Sequence, residues 1–97
     1  MDMIFPKVLQ AIPAKDYTVL AYMNDGTIRK FDAKPLIKKG GVFSPLADVE
    51  TFAKTLTVLN DTVAWDLSGR RDPADCIDID PFTIQAQTAV AETDYTA

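Results

Sequence analysis

The stretch Tyr17-Thr18-Val19-Leu20-Ala21-Tyr22-Met23-Asn24-Asp25-Gly26-Thr27-Ile28-Arg29-Lys30-Phe31 decides the fold. Tyr17, Val19, Ala21 and Met23 fall on one face of an extended chain, and Thr18, Leu20 and Tyr22 on the other. Both faces are apolar enough for a strand inside a sheet. Asn24-Asp25-Gly26 then interrupts the run. An Asp-Gly pair between two β-like segments is a strong hairpin signal, because glycine accepts the positive φ of a tight primed turn. Ile28 alternating with Arg29 marks the return strand. An antiparallel hairpin therefore sits at the centre of the fold.

Upstream, residues 3–12 read as another strand. Ile, Phe and Val favour it, and Pro6 belongs near its start or at a sheet edge because it has no N–H to give a ladder. Residues 13–16 read as a turn. Downstream, residues 32–39 make one helical turn, with Asp32 as its cap, Pro35 near its start and Lys38 and Lys39 at its negative end. Gly40-Gly41 stops it. Residues 42–46 are expected to form a loop with its apolar members turned inward. Asp48 caps the main helix, which runs to about Thr55. Residues 57–59 and 62–65, joined by Asn60-Asp61, form a second hairpin. Asp72-Pro73 starts another short helical turn through residues 70–76. Ile77, Ile79, Phe82 and Ile84 suggest a last strand. The reading is an α+β domain of two antiparallel hairpins, one main helix and short helical turns.

The chain has 97 residues and a mass of 10.7 kDa, which fits one domain. Residues 1–84 are expected to form it, and residues 85–97, rich in Gln, Thr and Ala, to be a flexible tail. There is no histidine and one cysteine. A Ser-His-Asp triad, a Cys-His pair, a histidine-ligated zinc site and an internal disulfide are all excluded. No run approaches the length of a membrane span, and Asp2 stands where a signal peptide would be basic. A cytoplasmic protein is expected.

Net charge is −4, split between +2 for residues 1–48 and −6 for residues 49–97. The basic members Arg29, Lys30, Lys34, Lys38 and Lys39 could form one patch for nucleic acid or an acidic partner. Lys38-Lys39-Gly40-Gly41 lacks the first glycine of a phosphate loop, so a lysine-rich helix end explains it better. Asp72, Asp75, Asp78 and Asp80 are candidate ligands for a hard cation, but no calcium-loop glycine or closing Glu accompanies them. Capping and solvation are the expected roles, with no metal and no cofactor. Cys76 lies beside Asp75 and Asp78, whose charge discourages a thiolate nucleophile. Trp65, with Asp66, Arg70, Arg71, Asp72 and Asp75 around it, is the candidate partner-binding corner, since Trp and Arg anchor interfaces.

The order of several short motifs adds a resemblance. Met23-Asn24-Asp25-Gly26 leads to Phe31-Asp32 and Pro35-Leu36. Gly41-Val42-Phe43, Leu46-Ala47-Asp48 and Phe52 follow, then Val63-Ala64-Trp65 and Asp72-Pro73-Ala74-Asp75. Over about residues 5–80 the chain resembles a small bacterial family of unknown function, often encoded in gene pairs thought to be toxin/antitoxin systems. The chain departs from that pattern at Cys76-Ile77, where an aromatic-ending motif is common, and in its longer C-terminal segment. The resemblance implies an antitoxin-like protein, and with the acidic second half and the absent catalytic groups the expectation is a non-enzymatic protein that binds a small basic toxin-like partner encoded nearby. A dimeric DNA-binding autoregulator using residues 29–39 is the alternative, which the acidic net charge disfavours. A metal-dependent enzyme built on the aspartates is the third reading.

Overall fold

In the computed structural model, which describes residues 5–72 and 76–90, strand β1 (Val8–Ala14) opens the chain. A 3-10 turn at Lys15–Tyr17, with Asp16 and Tyr17 both left-handed, reverses it into β2 (Thr18–Met23). β3 (Ile28–Asp32) returns antiparallel, pairing Val19 with Phe31 and Ala21 with Arg29. β1 starts later than expected and keeps Pro13 and Ala14, so the turn moves to Lys15–Tyr17. Pro13 is tolerated because β1 lies at the edge of its sheet.

The central hairpin exists, but its turn differs from the primed turn expected. Gly26 N–H donates to Met23 O at 3.0 Å, and Met23 N–H to Thr27 O at 2.8 Å. Three residues form the loop, and only Gly26 among them takes a positive φ, of 87°. This is a type I turn closed by a glycine bulge. The primed turn lies in the second hairpin instead. Between β4 (Leu56–Leu59) and β5 (Thr62–Trp65), Asn60 and Asp61 hold φ of 52° and 64°.

Helix α1 (Lys34–Lys39) follows β3 and stops at Gly40, whose φ is 77°. Residues 41–47 form a 3-10 segment rather than a loop: Leu46 is buried and Phe43 half-buried, while Val42 points outward. Helix α2 (Val49–Thr55) begins as the sequence indicates, with the Asp48 carboxylate accepting the Glu50 N–H at 3.0 Å.

The expected last strand divides in two. β6 (Ile77–Asp78) pairs with β5, and α3 (Pro81–Gln85) begins where Asp80 accepts the Phe82 N–H at 2.8 Å. Asp-Pro is a cap followed by a proline at the first helical position, which outweighs the imperfect alternation of the isoleucines. Asp78 and Asp80 consequently do not share a strand face. β7 (Ala89–Val90) pairs with β3, so residues 85–90 of the expected tail are built into the domain. The helical turn proposed through Pro73, Ala74 and Asp75 lies outside the described residues.

The sheets run β1-β2-β3-β7 and β4-β5-β6. Val8, Val19, Ala21, Met23 and Phe31 form the inner face of the first, meeting Val63 and Trp65 of the second, with Leu46, Phe52, Ile79 and Ile84 between. Phe52 stands edge-on to Tyr17 at 5.3 Å and tilted against Trp65 at 5.5 Å. Among the described residues, no helix is long and apolar enough to cross a membrane.

Candidate functional site

Trp65 is 0% exposed and presents no surface to a partner. Strand alternation brings it beneath Phe52, and its ring contributes to the core. The residues after it form a self-contained loop. The Asp66 carboxylate accepts from Ser68 Oγ at 3.2 Å, Gly69 N at 3.1 Å and Arg71 N at 2.8 Å. Arg71 turns its guanidinium back to β4, donating to Thr57 Oγ1 at 3.1 Å and Val58 O at 3.0 Å. Asp66 and Arg71 thus hold the loop to the second sheet. Arg70 and Asp72 are exposed beside it, and Asp75 lies outside the described residues.

The basic residues do not make one face. Arg29 and Lys30 are adjacent in β3 and point to opposite sides of the sheet. Arg29 is committed inside the fold, donating to Gln87 O at 2.9 Å and Thr27 Oγ1 at 3.1 Å. Lys34 donates to Asp16 O at 3.1 Å and pairs with Asp32 at 3.3 Å. Lys38 and Lys39 are exposed at the end of α1.

Three depressions instead run in series along β6 and α3. The largest, about 660 Å³, is lined by Val42, Phe43, Leu67, Ser68, Cys76, Ile77 and Asp78. The next, about 490 Å³, shares Asp78 and continues over Asp80 and Pro81 to Phe82. The third, about 290 Å³, shares Phe82 and is closed by Pro6, Asn24, Asp25 and Gln85. Val42, Leu67 and Phe82 are large apolar side chains left exposed along this track. No lysine or arginine is among the described residues that line it. A further depression of about 410 Å³ adjoins the largest one through Leu67 and Ser68 and carries Lys54 and Arg71.

Asp25 anchors the far end. Its carboxylate accepts from Thr27 Oγ1 at 2.5 Å, Thr27 N at 2.9 Å and Gln85 Nε2 at 2.9 Å. The Thr27 hydroxyl foremost, then Gln85, the Thr27 N–H and the nearby charge of Arg29, hold its pKa down at about 2, against a weak opposing effect of burial. It stays ionised at any physiological pH.

Among the described residues no three acidic or cysteine side chains gather as metal ligands. Asp80 caps α3, and Asp78 is exposed on β6. Sequence reasoning selected the aspartates near Trp65 and missed Val42, Leu67, Phe82, Asp25 and Gln85. The spacing of 60 residues between Asp25 and Gln85 carries no local signal. Exposure of an apolar residue is likewise a property of the fold and not of the sequence.

No curated protein and no solved structure matches the chain. The match is to a family model, spanning β1 through the end of α3 and the turn that follows it. Residues 8–87 fit the family described as protein of unknown function, DUF2442, and the chain belongs to it.

Proposed function

We propose that the protein is a non-enzymatic binding module of the cytoplasm, whose β6–α3 track receives a small basic protein partner in the manner of an antitoxin. One observation carries the reading. Exposed Val42, Leu67 and Phe82 lie in one run of depressions together with the carboxylates of Asp25, Asp78 and Asp80, and no lysine or arginine is among the described residues that line these three depressions. Apolar patches rimmed by one sign of charge suit protein association: the apolar groups supply affinity and the charge steers encounter. The absence of histidine and the single cysteine leave little nucleophilic or acid–base chemistry for the same surface.

The test is binding to the product of the neighbouring gene, measured by calorimetry at low salt. A complex is expected, and Asp78→Lys with Asp80→Lys should slow its association about tenfold. No complex at micromolar concentration and low salt overturns the reading.

A further inference from the structure

We propose that the depression between the Asn24-Asp25 turn and α3 is a recognition pocket for one arginine side chain of the basic partner, stacked on Phe82 and bonded to Asp25 and Gln85. The inference rests on the proposed binding of a basic protein and names the side chain that the track selects.

Its geometry comes from four features. Phe82 is 58% exposed, so an aromatic face is open to solvent in the wall of the pocket. Phe5 stands edge-on to that ring, at 6.4 Å and 86°, and is itself 59% exposed. The two rings make a corner, and a guanidinium plane lies favourably against an aromatic face. Asp25 supplies a permanent negative charge. Its Oδ2 accepts a hydrogen bond from Gln85 and makes a long ion pair with Arg29 at 3.9 Å.

The fourth feature is an unused acceptor. Gln85 turns its amide nitrogen to Asp25, which leaves its carbonyl oxygen buried with no hydrogen-bond partner among the described residues. Buried polar atoms are nearly always paired, so an orphan acceptor beside a pocket points to a donor that comes from elsewhere. A guanidinium offers five N–H donors in a fixed fork and can meet a carboxylate and an amide oxygen together. A lysine ammonium is a compact point charge and covers the ring less well. Arg29 gives its hydrogen bonds to Gln87 O and Thr27 Oγ1 and meets Asp25 only through the long ion pair.

The experiment is a nuclear magnetic resonance titration of the full chain with a blocked Gly-Arg-Gly peptide. The same peptide with citrulline, which keeps the shape and loses the charge, is the comparison. Millimolar arginine peptide is expected to shift the amides of Asn24, Asp25, Phe82 and Gln85, and citrulline to shift them far less. Phe82→Ala and Phe82→Leu, both at an exposed position, should each weaken the arginine peptide about fivefold. Equal shifts from the two peptides, no shifts, or unchanged affinity in Phe82→Leu would each overturn the pocket. Failure here with an intact partner complex removes the pocket and leaves the binding module. Arginine binding without any partner complex keeps the pocket and removes the partner reading.

Discussion

Asp66→Ala should unfold the Asp66–Arg71 loop and cost a large part of the stability of the domain. Asp66 is 9% exposed and accepts three hydrogen bonds. The Gly69 N–H is shared with the backbone O of Asp66 at 3.2 Å, whereas the Arg71 N–H has no other described partner. Bonds to a charged acceptor contribute about 1.5–3 kcal/mol each, the loop is partly open to water and the Gly69 N–H keeps Asp66 O, so the loss is about 2 kcal/mol. Losing them also frees Arg71, whose guanidinium then no longer holds Thr57 and Val58. A urea m-value of about 1.5 kcal/mol/M converts the loss to a midpoint lowered by about 1.3 M. Asp66→Asn keeps one acceptor and should show about half of this effect. The assay is urea unfolding followed by Trp65 fluorescence, with partner affinity measured on the folded fraction. A midpoint within about 0.3 M of wild type would refute the role given to the carboxylate. Lost affinity at full stability would instead make Asp66 a contact residue.

Three further outcomes are expected. Phe52→Ala empties the space between Tyr17 and Trp65 and should cost about 3–5 kcal/mol, enough to leave much of the protein unfolded by near-ultraviolet circular dichroism. Asp61→Gly relieves a left-handed residue whose φ is 64° and should add about 1 kcal/mol, raising Tm by about 4–8 °C in calorimetry. For Asp25, the folded pKa of about 2 lies below the ordinary value of 3.8, so its contribution is present above that value and lost as pH falls toward 2. Asp25→Asn should therefore flatten the acid limb between about pH 4 and 2 in an acid unfolding curve, and identical limbs would contradict the assignment.

What could be read from the sequence was what is settled within a few residues. Asp48 before an apolar helical face marks the start of α2, and Asn60-Asp61 marks a turn, because caps and turns satisfy nearby backbone groups. The alternation over residues 17–23, apolar on both faces, marks β2 as an interior strand, and β1 and β3 flank it. The errors occur where two local signals compete. At residues 77–84 the apolar spacing suggested a strand, while Asp80-Pro81 started a helix. At Asn24-Asp25-Gly26 the loop length, which depends on where the strands pair, decided between two turn types. Residues 85–90 could not be recognised as part of the domain, because β7 is two residues long and exists only through its partner β3.

The same distinction explains why the charge split along the chain misplaced the surface. Counting by halves assigned Asp25 to the basic half and Arg71 to the acidic one. In the fold, Asp25 joins the acidic track through Gln85, whereas Arg71 turns away to β4. Arg29 and Lys34, which gave the first half its excess of positive charge, are spent on backbone carbonyls. A side chain bound to its own backbone gives less field to solvent and less freedom to a partner than a free one, because its rotamers are already fixed. The surface that a partner meets is therefore set by which charges the fold leaves uncommitted. By that measure the residue 29–39 segment is less basic than the first half of the sequence indicates.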